Sequence, residues 1–312
     1  MTITQLKYVL AVAEFKNFTV AAEKCFVTQP TLSMQIQKIE EELDIKIFDR
    51  SKKPIQITDI GEKIINQSKS IVVEADRIRD IVQQQKGFIG GEFRLGIIPT
   101  IMPTLLPMFL NNFIKRYPKV KLIIEELNTD EIIIRLLSGK LDAAIAATPL
   151  NEEKIKEVVL YFEPFVAYIP ENNQNYNKKE INISDLNLNE ILLLQDGHCF
   201  RDNILNICKT DNSIADSSFK IESGSFETLI KLADEGLGIT LLPYLHTLDL
   251  KEKDHLKLKQ FADPKPAREV SLIYPKSELK IQIINALRQT ISGVVKGAIA
   301  FQDIEIISPK KQ

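Results

Sequence analysis

Apolar residues recur at helical spacing from the start of the chain. Leu6, Val9, Leu10 and Ala13 fall on one face of a first helix that ends near residues 15–18. A compact segment follows over 19–28, where Ala21 and Ala22 are small enough for close helix contact. Thr28 is placed to cap a helix over 31–43, with Pro30 tolerated in the first turn and Leu32, Ile36, Ile39 and Leu43 pointing inward. Residues 55–57 read as a short strand, and the turn before it holds Arg50, Lys52 and Lys53. Thr58 suits the N-cap of a long helix over 59–85. In it Ile64, Ile71 and Ile78 repeat at a heptad period, which predicts pairing with a second copy; a helix packed only on its own domain is the alternative. Gly87, Gly90 and Gly91 then interrupt the pattern and predict a hinge over 87–91.

Beyond the hinge, short apolar strands alternate with amphipathic helices. Strands are expected at 93–98, 120–125 and 141–146, with a helix through Leu105, Phe109 and Phe113 and another through Ile132, Ile133 and Leu136. This is the pattern of βα units around a mostly parallel sheet. A crossing strand over 160–169 leads into a second lobe, expected to contain strands at 191–194, 219–221 and 239–242 and a helix over 226–235. Residues 268–274 return to the first lobe, followed by a closing helix over 279–287. Two lobes joined by two crossings form a cleft, a common place for ligands.

Composition narrows the setting. The chain has 312 residues, 44% hydrophobic and 26% charged, as in soluble globular proteins. No secretory leader is visible, no apolar run reaches the roughly eighteen residues of a membrane helix, and three cysteines make no secreted disulfide framework. A reducing cytoplasm is the expected location, where any disulfide would be transient. The net charge of −2 does not advertise nucleic-acid binding, and residues 1–60 hold eight basic and eight acidic side chains. Any DNA contact must therefore come from a local surface.

The outward positions of the 31–43 helix supply one candidate. Gln29, Thr31, Ser33, Gln35 and Lys38 offer donors and acceptors that suit base edges and phosphates, and Arg50, Lys52 and Lys53 occupy the position of a wing. A helical packing module with a polar face stays open as the alternative, and the cluster Glu40, Glu41 and Glu42 sits at the helix's far end. Cys25 reads as core.

The second candidate is the segment 194–208. Cys199 follows His198 directly, Arg201 lies two positions on, and such neighbours can favour the reactive thiolate. Phe200, Ile204, Ile207 and Cys208 recur at helical spacing. A helix between Cys199 and Cys208 would hold them about 13 Å apart, whereas a disulfide needs alpha carbons within about 7 Å. Closing that bond would require the helix to melt or swing, which makes the segment a candidate redox switch; two ordinary packed cysteines remain the other reading. Thr100 and Thr129 stand at strand-to-helix transitions in the first lobe, where backbone N–H groups can hold a small polar ligand, or where threonine simply caps. No dinucleotide fingerprint or phosphate loop occurs. His198, His246 and His255 make no zinc pattern with the cysteines, so neither metal nor cofactor is expected.

Residues 21–33 (AAEKCFVTQPTLS), followed by 39–43 (IEEEL), Phe48, Arg50 and 58–61 (TDIG), resemble the N-terminal domain of LysR-type transcriptional regulators. The second portion resembles the peroxide-responsive members of that family through 95–100 (LGIIPT), 138–142 (SGKLD), 196–202 (DGHCFRD), Cys208 and 238–243 (GITLLP). The resemblance runs to about residue 290. It implies an α/β protein with an N-terminal all-α winged helix-turn-helix (1–58), a long linker and dimerisation helix (59–86), a hinge (87–91), a two-lobed periplasmic-binding-protein-like regulatory domain (92–302) and a tail (303–312). It further implies a regulator and not an enzyme: a dimer of dimers on double-stranded promoter DNA, working with RNA polymerase and reset by a thiol reductant of glutaredoxin or thioredoxin type. On this resemblance Cys199 corresponds to the peroxide-attacking cysteine and Cys208 to the resolving one. Thr100 and Thr129 would help position peroxide and water, with His198 and Arg268 in the surrounding network. Phe200 departs from the aliphatic residue expected after the first cysteine, which bears on how readily the segment rearranges. The rival functions are a regulator that binds a small carboxylate in the same cleft, a thiol enzyme using His198 and Cys199, and a solute-binding protein, which leaves residues 1–60 unexplained.

Overall fold

The computed structural model describes residues 1–85, 89–195, 197, 199–207, 223–299, 304–307 and 309. The chain divides into two compact units, Met1–Phe88 and Ile89–Gln312.

The first unit opens with α1 (Ile3–Phe15), α2 (Phe18–Lys24) and α3 (Gln29–Glu42), each started by a side-chain cap. Thr2 and Gln5 form a reciprocal capping box, Asn17 accepts from the Thr19 and Val20 amides, and Thr28 accepts from the Thr31 amide as expected. β1 (Phe48–Asp49) and β2 (Gln56–Ile57) form a small antiparallel ribbon in the position predicted for the wing. α4 (Asp59–Gln85) follows Thr58, whose hydroxyl accepts from the Gly61 amide. A side chain at Gly61 would place its Cβ 2.3 Å from the Ile47 carbonyl, so the helix can approach this turn only with glycine there. Leu6, Val9, Val12, Ala21, Ala22, Leu32, Ile36, Ile39 and Phe48 fill the core.

One expectation fails here. Leu43 is 37% exposed, not inward, because α3 ends at Glu42 and Leu43 only caps it. Glu40, in the acidic cluster at the far end of that helix, is buried. Asp44 takes a left-handed conformation (φ 52°) as the chain leaves α3, and the Ile47 and Phe48 amides both donate to Glu40 Oε1. The carboxylate is tolerated there because it satisfies these two backbone donors.

In the second unit, β3 (Gly91–Ile97), α5 (Met102–Arg116), β4 (Val120–Glu126), α6 (Thr129–Leu137) and β5 (Ala143–Thr148) form the parallel βα array read from the pattern. β6 (Ile155–Tyr168) is the crossing strand, longer than expected because its first half already pairs with the returning strand. The second lobe contains β7 (Glu180–Ile181), α7 (Cys199–Ile207), α8 (Phe226–Asp234), β8 (Thr240–Pro243), α9 (Tyr244–Thr247) and β9 (Leu258–Phe261). β10 (Lys265–Pro275) returns antiparallel to β5 and β6, and α10 (Ile281–Val295) closes the first lobe. The strand order is β4-β3-β5-β10-β6-β9-β7, with β8 added on β6.

Residues 191–194, expected as a strand, make only an Ile191–Ile239 bridge and adjoining hydrogen bonds. The strand expected at 219–221 lies outside the described residues. β11 (Ile304–Ile306), in the region expected as a tail, runs parallel to β10. The unit has two apolar cores, one around β3, β5, α5 and α10, the other around Phe165, Phe200, Phe226 and Leu241. Among the described residues no helix is long and apolar enough to cross a membrane.

Candidate functional site

The register of the two long strands places Arg268 on β10 opposite Glu163 on β6. Both side chains are 1% exposed. Arg268 donates from Nε (2.9 Å) and Nη2 (2.7 Å) to Glu163 Oε2, from Nη1 to Thr100 Oγ1 (2.9 Å), and from Nη2 to the Thr100 carbonyl (3.1 Å). Glu163 Oε1 accepts from the Leu245 amide at 2.9 Å. The guanidinium also lies 5.2 Å from the centre of the Phe200 ring. A buried pair is tolerable only when its remaining donors and acceptors are met, and here they are met by the turn after β3 and by the start of α9.

Cys199 begins α7 and straddles the cores: its side chain packs in the first, while those of Phe200, Ile204 and Ile207 pack in the second. Burial pushes the Cys199 thiol up from its ordinary value, with Asp202 adding to the rise, while the Arg268 guanidinium, the Thr129 hydroxyl and a hydrogen bond from the Ala147 backbone pull it down. The cation acting on the sulfur is thus Arg268, not its sequence neighbour Arg201, which donates to the Leu194 carbonyl. The structure therefore brings Cys199, Thr129, Arg268 and Thr100 together.

Thr129 is the first residue of α6, and the cap is Asn128. Because the cap belongs to its neighbour, the Thr129 hydroxyl faces the Cys199 sulfur, buried and without a partner at good hydrogen-bond geometry. The Tyr161 hydroxyl is also buried without a partner, and its pKa is driven far up by burial and by Glu163. His198 and Cys208 lie outside the described residues. Among the described residues no cluster could hold a metal ion.

Sequence pattern alone does not reveal Glu163 or the aromatic seat of Phe200, which packs on Phe165 and Phe226 at 5.2 and 5.0 Å. The one legible signal is a lone charged side chain within the run 160–169 (LYFEPFVAYI), a position that calls for a buried partner.

In the first unit the predicted DNA-contact set divides. Gln29, Thr31, Lys38, Lys52 and Lys53 are exposed. Ser33 and Gln35 are half-buried and already accept hydrogen bonds, from Arg50 Nη1 and from Gln5 Nε2. Arg50 pairs with Glu40 at 3.0 Å and covers the Phe18 ring, so it braces the β1–β2 turn against α3. Cys25 is half-buried beside the core, and burial raises its thiol pKa.

Residues 3–62 match the bacterial regulatory helix-turn-helix protein, lysR family, and residues 86–295 match the LysR substrate binding domain. The chain is 33% identical over 300 residues to the hydrogen peroxide-inducible genes activator of Pectobacterium carotovorum subsp. carotovorum, covering 95% of this chain and 99% of that protein. It is also 33% identical to the DNA-binding transcriptional dual regulator OxyR of Escherichia coli K12, covering 94% and 97%. A full-length OxyR variant from Pseudomonas aeruginosa superposes with a TM-score of 0.75 at 33% identity, covering 94% of this chain and 98% of that one. The chain belongs to the LysR family of DNA-binding transcriptional regulators.

Proposed function

We propose that this regulator senses hydrogen peroxide through Cys199. The Cys199 thiolate attacks one peroxide oxygen; the O–O bond breaks, the sulfur becomes a sulfenic acid and hydroxide leaves. The Cys208 thiol then condenses with the sulfenic acid, forming the Cys199–Cys208 disulfide and releasing water. The observation that carries this reading is the buried Cys199 sulfur set beside a buried guanidinium and the Thr129 hydroxyl. Burial keeps the thiol largely protonated and shielded, while Arg268 supplies the field that favours thiolate when a small neutral oxidant enters. Thr100, Thr129 and His198 would orient peroxide and water.

Closing the disulfide would replace the α7 arrangement by another local fold, and that change would reach paired DNA-binding units through α4 in a dimer of dimers. Gln29, Thr31 and Lys38, with Ser33, Gln35, Arg50, Lys52 and Lys53 around them, would meet promoter DNA in the cytoplasm. RNA polymerase would read the change, and a glutaredoxin- or thioredoxin-type reductant would reverse it.

The alternative is a small-carboxylate effector, to which the Thr100 hydroxyl could donate its own O–H while accepting from Arg268 Nη1. A Cys199→Ser variant tests the choice on a target promoter in cells given peroxide. The reading predicts retained DNA binding with the peroxide response abolished; a normal response would overturn it.

A further inference from the structure

We infer that β11 staples the Cys199 helix to the Arg268 strand, and that Asn203 is the positioning residue through which it holds the helix. The inference rests on the peroxide-switch reading above and adds a component to it. Ile307 directly follows β11. Its backbone N–H donates to the Ala267 carbonyl at 2.8 Å, one residue before Arg268. Its own carbonyl accepts from Asn203 Nδ2 at 2.7 Å, four residues after Cys199 on α7. One residue thus ties α7 to β10 through its main-chain groups. The strand behind it is set by the register Ile304 opposite Lys265, Glu305 opposite Pro266 and Ile306 opposite Ala267, and the Ile307 side chain packs on the second core.

Asn203 is the part of this arrangement with most to lose. It is 0% exposed, and its Oδ1 has no hydrogen-bond partner. Its amide nitrogen donates to Ile307, so moving Ile307 away would strip a buried amide of that bond, and a buried donor left unmet is costly. A bond made in only one of two states shifts the equilibrium between them by its full differential energy. If α7 leaves this seat when the disulfide closes, the Asn203–Ile307 bond belongs to the reduced state alone. The staple then sets how strongly oxidised the cell must become before the switch throws.

The test uses the full chain and two variants that cut the staple at different points: Asn203→Leu removes the donor on α7, and Ile307→Pro removes the N–H that holds β10. Each is equilibrated with glutathione, in which one glutathione disulfide oxidises Cys199 and Cys208 to their disulfide and yields two glutathione thiols. Both variants should shift this equilibrium toward the protein disulfide about tenfold, equivalent to about 30 mV. Loss of general stability, shared by both redox states, would not move it. Variants within twofold of a wild type that does form the link would overturn the staple and leave the peroxide reading standing. A wild type that forms no link would overturn the peroxide reading. Hydrogen exchange in the reduced proteins then tests the staple alone: α7 amides should exchange faster in both variants, and unchanged exchange would overturn it.

Discussion

Arg268→Met separates the two roles that the geometry gives the Arg268 side chain. The substitution removes four hydrogen bonds and leaves the 1%-exposed Glu163 carboxylate with the Leu245 amide as its remaining donor. Removing one member of such a buried pair costs about 3–5 kcal/mol. For a domain of this size each kcal/mol moves Tm by about 2–4 °C, so the melting transition of the regulatory unit should fall by about 6–20 °C. The second effect is on Cys199. Without the guanidinium its thiol pKa rises further, and each unit of rise cuts the thiolate fraction near neutral pH about tenfold. Differential scanning fluorimetry reads the first effect, and the pH dependence of Cys199 oxidation by peroxide reads the second. Glu163→Gln is the companion: it should lose comparable stability but keep the cation, so its oxidation profile should not move to higher pH. A Tm change under about 2 °C in Arg268→Met would refute the structural role, since it is below the shift expected for even a single kcal/mol. Identical oxidation profiles in the two variants would refute the electrostatic one.

Three further outcomes are expected. Phe200→Leu opens space between Phe165, Phe226 and Arg268 and should destabilise the reduced form by about 1–3 kcal/mol, with faster disulfide closure in stopped-flow after peroxide. His246 is kept neutral by burial against Phe226, its pKa lowered despite Glu227 and Asp249 nearby. Its contribution is therefore complete above its ordinary value of about 6.5 and is lost as pH falls toward the lowered folded value. Urea denaturation should accordingly show a decline in stability below about pH 6.5 that His246→Gln flattens. Lys52→Ala and Lys53→Ala should weaken promoter binding evenly across sequences and reduce the salt dependence of log Kd by about one unit for each phosphate no longer neutralised, whereas Gln29→Ala should relax sequence preference instead.

The residues that make the fold readable are those whose neighbours in space are neighbours in sequence. Thr28 and Thr58 cap their own helices, and Leu32, Ile36 and Ile39 share one helical face, so local pattern alone places α3 and α4. Cys199 is legible for the same reason, since the helix it starts is written in Phe200, Ile204 and Ile207. What surrounds the sulfur is not. Arg268 and Glu163 meet because an antiparallel register brings together residues 105 apart in sequence, and periodicity says nothing about register. Arg201 is the nearer cation in sequence and the wrong one in space. The burial of Glu40 is not legible because two of its partners, the Ile47 and Phe48 amides, are backbone groups that leave no trace in composition. β11 reads as a tail because a three-residue strand has no period to detect.

Whether Cys199 and Cys208 act as one switch is tested most directly by peptide mapping with mass spectrometry after one equivalent of hydrogen peroxide. The expected result is a Cys199–Cys208 disulfide in the wild type and a persistent sulfenic acid on Cys199 when Cys208 is replaced by serine. Full oxidation of Cys199 in the wild type with no link to Cys208 would contradict it.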